Sequence, residues 1–283
     1  LAILLLLAAA LRAAAQTTPT EQAQPIVEEG KRLYKMEMAS WYGTDLFLER
    51  FKNREKIGGY FSYLEGPLAK CIFFSRAETP TVIGTITFDS TYELKTAKTE
   101  LTERPFTAAE RDLYDIRKIA LQVIQEDTLF KTYTNTNLNL IPLIHNGEKK
   151  VYVLTGPEQS GVVIFGNDYL IRFNAGNEII EKKHLHKNIM PVYYGSEAEN
   201  GSKAVGAVHS HLPETGDFMT ATDICTLMLY AKFAGWKYHQ VISEHYVNFW
   251  DCENNTLIVI PKDALDSQDK EQGKKGKKKK KRQ

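Results

Sequence analysis

The chain has 283 residues, enough for one large domain or two small ones, and its 43% hydrophobic and 25% charged residues are ordinary for a soluble globular protein. The net charge of +1 conceals an asymmetry, because residues 270–283 hold nine of the 36 Lys and Arg residues but only one of the 35 acidic residues. The rest of the chain keeps 27 basic and 34 acidic residues, and this acidic body argues against a folded nucleic-acid-binding domain.

The first 15 residues have the pattern of a secretory signal peptide. Residues 1–10 are almost purely Leu, Ile and Ala, and Ala13 and Ala15 form an Ala-x-Ala cleavage pattern before Gln16. The missing initiator Met and basic region predict that the given sequence starts inside this signal. We therefore expect an exported bacterial protein, located in the periplasm, at the cell surface or outside the cell. An N-terminal anchor helix is the alternative, and no later stretch predicts a transmembrane helix in the mature chain.

The next segments predict a linker and a small N-terminal region. Residues 16–25 are polar and contain two prolines, which is typical of a linker. Residues 26–105 form an N-terminal region in which 26–56 predict a helix that Gly43 can interrupt. Three strands of an antiparallel meander follow, at Tyr60–Tyr63, Cys71–Phe74 and Val82–Phe88.

Residues 106–262 predict a larger α+β domain. A capping box formed by Thr107 and Glu110 opens a helix, and several apolar runs separated by Gly, Asn and Pro then predict strands. Another strand covers 205–211, a helix runs from Thr220 to Gly235, and further strands follow up to residue 260. This order favours an α+β or three-layer α/β/α arrangement.

The C-terminal residues 263–283 are polar and then rich in Lys, so they predict a disordered, solubilising tail. The Lys277–Arg282 run also suggests attraction to an anionic envelope surface. Among the three cysteines, Cys225 lies in an apolar helix pattern and predicts a buried thiol. A disulfide between Cys71 and Cys252 stays open at this stage.

The most informative segment is Val205–Asp223, in which an apolar run ends in His209-Ser210-His211. Alternate side chains of a strand share a face, so both imidazoles can point the same way. Asp223 stands where the next helix begins, although Thr220 and Asp223 are also a plain capping box. Two imidazoles and one carboxylate are the protein ligands of an open catalytic zinc site. A second motif, His184-Leu185-His186, lies in a basic run without an acidic partner and predicts an exposed strand face.

The His-Ser-His strand end followed by Thr220-Ala-Thr-Asp223 resembles the signature of the JAMM (MPN+, JAB) zinc metalloproteases, His-Ser/Thr-His-Pro and then Ser-x-x-Asp. This sequence has Leu212 in place of the Pro, Thr220 in place of the Ser, and eleven residues rather than ten between His211 and Asp223. The resemblance covers little more than half of the chain and implies a JAMM/cytidine-deaminase-like fold there. It also implies that His209, His211 and Asp223 bind Zn²⁺ and that Thr220 stabilises the tetrahedral intermediate.

The family also has a general-base Glu on an upstream strand, and two residues resemble it. Glu148 opens the run Glu148–Gly156, whereas Glu158 is followed three residues later by Gly161. By this resemblance the chain is a zinc-dependent peptidase or isopeptidase acting on a peptide or protein. Two alternatives stay open: a non-catalytic JAMM-like interaction module, or an envelope-associated structural protein that uses its basic tail.

Overall fold

The computed structural model describes residues 17–195 and 203–265, and it has a mixed α+β architecture, as the sequence predicted. The elements in chain order are α1 (Pro19–Arg50), β1 (Ile57–Glu65), β2 (Leu68–Ser75), β3 (Val82–Phe88), β4 (Lys98–Glu100), α2 (Ala108–Glu126), β5 (Thr136–His145), β6 (Glu148–Pro157), β7 (Val162–Gly166), β8 (Tyr169–Phe173), β9 (Ile179–His184), β10 (Ile189–Tyr193), β11 (Gly206–Ser210), α3 (Ala221–Ala234), β12 (Tyr238–Ile242), β13 (Tyr246–Asp251) and β14 (Thr256–Pro261).

The strands of the described residues form four sheets. The first is the meander β1-β2-β3-β4, which extends the three predicted strands by one short strand. The second has the order β5-β6-β8-β9, and the third is the pair of β7 and β10. The fourth has the order β11-β12-β13-β14, in which β11 and β12 are parallel and the other pairs are antiparallel. Helix α3 connects β11 to β12, so it is the next element after the strand that carries His209.

The predicted linker is helical instead, because α1 begins at Pro19. Thr18 caps the helix: its hydroxyl accepts from the backbone N–H of Glu21, whose side chain bonds back to the backbone of Thr18. Proline is well suited to the first helical position, where its missing N–H would have no partner. The helix then runs through Pro25 and Gly43 and ends at Arg50, six residues before the predicted end at residue 56.

Helix α1 contributes to three parts of the core along its 32 residues. Near its start, Ala23 and Val27 pack in a cluster with α3, β7 and the β12–β14 strands. Leu33 and Met36 pack with β5, β6 and α3 in the middle. Towards its end, Phe47 and its neighbours pack against the meander. One helix therefore joins the meander to the remainder of the fold.

A close approach between α1 and the first turn of α3 depends on Gly30. An ideal Cβ at this position would lie 2.7 Å from the Ile224 Cβ atom and 2.9 Å from the Ala221 carbonyl oxygen. Both distances are shorter than van der Waals contact allows, so only glycine lets the two helices lie this near to each other. The position of the α3 N-terminus is therefore set by α1.

A buried ion pair connects α2 to the meander. Glu110, which is 1% exposed, accepts from both terminal nitrogens of Arg104 at 2.7 and 2.8 Å and from the hydroxyl of Tyr63 at 2.9 Å. It also completes the capping box predicted at Thr107, whose backbone N–H lies 2.8 Å from the carboxylate. Burial by itself raises the pKa of Glu110, but these four contacts outweigh it and lower the pKa to about 2.

All three cysteines are free, so Cys71 and Cys252 do not form the disulfide that the sequence left open, and Cys225 is buried as predicted. No helix among residues 17–195 and 203–265 is long and apolar enough to cross a membrane. The predicted signal peptide and most of the Lys-rich tail lie outside the described residues.

The Glu110 network predicts a specific dependence of stability on pH. A carboxyl whose folded pKa is lowered stabilises the fold above its unfolded pKa of about 4.3, and this stabilisation is lost as the pH falls towards about 2. We expect the free energy of unfolding of the wild type, measured with urea, to fall by up to about 3 kcal/mol between about pH 5 and pH 2. The Glu110→Gln variant should not show this fall. The exposed Glu126→Gln on the same helix is the control, and equal pH slopes in wild type and Glu110→Gln would contradict the prediction.

The contact at Gly30 predicts an overpacking penalty. Gly30→Ala should lower the free energy of unfolding by about 1–3 kcal/mol, although alanine is the better helix former, because the new methyl group pushes α3 away. Urea denaturation measures this loss. Gly176→Ala, at an exposed position where a Cβ meets only the Asn174 side chain at 3.4 Å, should be nearly neutral. A stabilised Gly30→Ala variant would show that the helices are not in close contact.

Candidate metal centre

The His-Ser-His segment ends strand β11 with both imidazoles on the inner face. His209 pairs with Val241 of the parallel strand β12, and the backbone N–H of His211 donates to the Ile242 carbonyl at 2.9 Å. His209 and His211 are 8% and 6% exposed, whereas Val208 before them is 56% exposed and Ser210 between them is also exposed. The alternation predicted from the sequence is therefore confirmed.

Asp223 both caps α3 and faces the two imidazoles. Its Oδ2 atom accepts from the backbone N–H and from the hydroxyl of Thr220, each at 2.8 Å. The same carboxylate lies 3.2 Å from His211 Nε2 through Oδ2 and 3.5 Å from His209 Nε2 through Oδ1. Asp223 can thus cap the helix and face the imidazoles at the same time. The extra loop residue before Asp223 does not keep its carboxylate away from His209 and His211.

His186 is the unpredicted member of the cluster. The sequence predicted an exposed strand face for His184-Leu185-His186, but β9 ends at His184 and the chain then turns inwards, so that His186 is 3% exposed. Its Nε2 atom lies 3.1 Å from His211 Nε2 and 3.4 Å from Asp223 Oδ1. The prediction was wrong because a basic run next to a strand does not reveal where the chain leaves the sheet.

Asp168 holds His186 in this orientation. It precedes β8, is 3% exposed, and its Oδ1 atom lies 2.7 Å from His186 Nδ1. The hydroxyl of Thr222 donates to its other oxygen. With Nδ1 bonded to Asp168, Nε2 is the atom of His186 that faces the cluster. A carboxylate that orients an imidazole in this way is typical of histidine ligands in metal sites.

A second partner supports His209. His239, which is fully buried, places its Nε2 atom 2.8 Å from His209 Nδ1, and the ring of Phe165 lies against both imidazoles. Burial lowers the pKa of His209 to about 4 and that of His239 to about 3. Both rings are therefore neutral at pH 7, the state in which imidazole binds metals.

The carboxylates have the opposite effect on His186. Burial lowers its pKa, but Asp168 and Asp223 together outweigh burial and raise the pKa of His186 well above its usual value. Burial likewise raises the pKa of Asp223, and the imidazoles of His186 and His209 overcome this and hold it well below its usual range. Asp223 is thus an anion at pH 7, despite being buried.

One donor atom from each of His186, His209, His211 and Asp223 lies within 4.8 Å of all the others, so this buried cluster can hold a metal ion. With Asp223 taken at Oδ1, four of the distances between these donor atoms range from 3.1 to 3.5 Å. Ligands at about 2.0–2.1 Å from one tetrahedral ion stand about 3.3–3.4 Å apart, which is close to these four distances. Asp223 Oδ1 is also buried without a hydrogen-bond donor, as a ligand oxygen would be. The residues therefore fit a cation.

The two glutamates considered as general base lie elsewhere. Glu148 begins β6 and is exposed, where it pairs with Lys150 at 2.7 Å and with Arg172 at 3.8 Å. Val153 of β6 pairs with Tyr169, the neighbour of Asp168. Glu148 lies five residues before Val153, which is about 17 Å along an extended strand. Glu158 is exposed in the bend after β6. The structure brings His209, His211, Asp223 and Thr220 together, but neither glutamate joins them.

A cleft of about 430 Å³ is lined by neighbours of the cluster but by none of its four donor residues. Thr220 and Leu185, the neighbour of His186, form part of its wall. The same wall carries Glu29 and Lys150, which form an ion pair at 3.0 Å, and the apolar side chain of Phe218. The cleft thus offers both charged and apolar surface beside the buried donors.

Comparisons of the chain with protein-family models, with curated proteins and with solved structures gave no significant match. The chemistry of this centre therefore has to be inferred from its own residues.

The geometry predicts which substitutions weaken metal binding. We expect one Zn²⁺ per wild-type chain by elemental analysis and none in His209→Ala/His211→Ala. His186→Ala should lower zinc affinity more than roughly tenfold, and Asp168→Asn roughly 10–100-fold, because Asp168 orients His186.

His184→Ala is the matched control, because His184 belongs to the same His-x-His segment but stacks on Tyr169 outside the cluster. Its zinc content should equal that of the wild type. If His184→Ala and His186→Ala bind zinc equally well, His186 is not part of the centre.

Proposed function

We propose that the protein is a zinc-dependent hydrolase that resembles the JAMM metalloproteases and cleaves a peptide or isopeptide bond. The observation that carries this proposal is that His209, His211 and Asp223 converge, with the hydroxyl of Thr220 bonded to Asp223. Three imidazole nitrogens and one carboxylate oxygen are ligands that zinc prefers, although other transition metals accept them too.

Within this proposal, Zn²⁺ would supply a Lewis acid and a water of lowered pKa. The remaining roles belong to the chain. His209 and Asp223 are held as a neutral imidazole and a carboxylate by their surroundings. Thr220 lines the cleft and its hydroxyl donates to Asp223, so we assign it the stabilisation of the oxyanion.

The pair of His186 and Asp168 takes the place of the missing glutamate in the proposal. His186 can keep a proton on Nδ1, bonded to Asp168, and present Nε2 to the cluster. An imidazole oriented by a carboxylate is a common general base. Because Asp168 and Asp223 raise the pKa of His186, its Nε2 atom carries a proton in the metal-free centre. After the loss of that proton, His186 would be either a fourth ligand or the group that accepts a proton from the attacking water.

The substrate side of the proposal rests on the cleft beside Thr220. Its mixture of ion-paired and apolar side chains suits an extended peptide better than a small uniform ligand. The export of the protein and the attraction of Lys277–Arg282 to an anionic envelope stay predictions from the sequence, since both segments lie outside the described residues.

A second candidate is a non-catalytic module in which zinc only stabilises the fold. Structural zinc sites have four protein ligands, whereas catalytic ones keep a position open. The four buried donors, together with the distance of Glu148 from the cluster, favour this candidate specifically.

The activity test uses zinc-loaded full-length protein, a peptide library and an ε-linked isopeptide, with cleavage read by mass spectrometry. We expect cleavage by the wild type that chelation abolishes and that His209→Ala/His211→Ala lacks. Thr220→Ala should lower kcat about 10²–10³-fold, while Thr220→Ser, which keeps the hydroxyl, should stay near the wild type.

Stoichiometric zinc without any cleavage, together with a raised melting temperature on zinc binding, would contradict the hydrolase and establish the stabilised module. An unchanged kcat in Thr220→Ala would remove Thr220 from the chemistry while leaving the metal centre in place.

A further inference from the structure

A second polar cavity shares no lining residue with the donor cluster. It has a volume of about 410 Å³ and is formed by α1, β1, α2, β5, the end of β6 and α3. This volume lies in the range of small-molecule sites. The cavity is independent of the proposed hydrolase.

One wall of this cavity carries a cation without a partner. Arg117 lies on α2, and its Nε–H is buried and has no hydrogen-bond acceptor among the described residues. No described carboxylate forms an ion pair with its guanidinium group, and burial lowers the pKa of Arg117. A buried guanidinium donor without an acceptor is costly, so the cavity favours a ligand with an anionic group at this position.

Another wall carries a carboxylate without a cation. Glu37 of α1 accepts a hydrogen bond from the amide of Asn139, and it forms no ion pair among the described residues. Burial raises the pKa of Glu37 to about 7, although the Asn139 hydrogen bond acts in the opposite direction. A ligand ammonium group would give this carboxylate the charged partner that the fold does not supply.

Tyr60 lines the same cavity as Glu37 and Arg117. Burial raises the pKa of its hydroxyl, Glu37 raises it further and Arg117 lowers it, so both charges act on one group inside the same cavity. At the rim, Trp41 is 45% exposed and stacks on Phe233, which is 63% exposed, with ring centroids 6.2 Å apart. The cavity therefore combines a cation, an anion and an exposed apolar rim.

We propose that this cavity binds a small zwitterion, namely a free α-amino acid or a dipeptide with an apolar or aromatic side chain. The ligand carboxylate meets Arg117, the ammonium group meets Glu37, and the side chain rests against Trp41. Nothing in this assignment requires metal in the cluster around His209.

The test is calorimetric titration of the full-length protein with L-phenylalanine and L-phenylalanyl-L-leucine, with N-acetyl-L-phenylalanine and L-phenylalaninamide as matched ligands that each lack one charge. We expect both zwitterions to bind and each blocked ligand to bind at least about tenfold more weakly. Glu37→Gln and Arg117→Gln should each weaken zwitterion binding at least about tenfold, whereas Arg117→Lys should retain part of it.

The blocked ligands locate each charge. In Glu37→Gln, N-acetyl-L-phenylalanine should bind nearly as well as L-phenylalanine. In Arg117→Gln, L-phenylalaninamide should bind nearly as well as L-phenylalanine. Glu28→Gln on α1 and Arg111→Gln on α2 control for the change of charge, and unchanged melting temperatures show that the variants are folded.

The His209→Ala/His211→Ala variant should still bind the zwitterions, which separates this proposal from the metal centre. The proposal is overturned if no zwitterion binds at millimolar concentration, or if the blocked ligands bind as well as L-phenylalanine.

Discussion

The packing of helix α1 along its whole length is the constraint on which the rest of the structure depends. Its start, middle and end contribute to three different core clusters, so the meander and the sheets around α3 share a single buried helix. The contact at Gly30 fixes the first turn of α3, and that turn carries Asp223. The geometry of the donor cluster therefore depends on a glycine that lies 193 residues earlier in the chain.

The donor cluster shows how a fold can bury several ionisable groups at once. The carboxyl groups of Asp168 and Asp223 are both buried, and an isolated negative charge there would be very unfavourable. His186 lies between them and balances part of this charge, while His209 and His239 stay neutral. Such an arrangement is hard to explain by packing alone, because apolar residues of the same volume are usually at least as stable.

Sequence patterns predicted the elements and residues whose determinants are local. The capping boxes at Thr107 and Thr220 and the alternation of His209 and His211 depend on neighbours within a few residues, and all are found in the structure. His186 could not be predicted, because its burial depends on how the chain after β9 folds back towards β11. The helical start of α1 was missed because composition alone favoured a linker, although the Thr18 and Glu21 pair was a visible helix signal.

The join between the first helix and the last strand has a consequence for the order of folding. The Thr20 hydroxyl accepts from the backbone N–H of Val259, a contact between residues 239 positions apart. Ala23 and Val27 find their apolar partners, such as Trp250, on the same late strands. During synthesis the start of α1 is therefore made long before β13 and β14, and part of its apolar face remains uncovered until these strands have emerged. Contacts between residues far apart in a chain slow folding, and apolar surface that stays uncovered during synthesis favours aggregation.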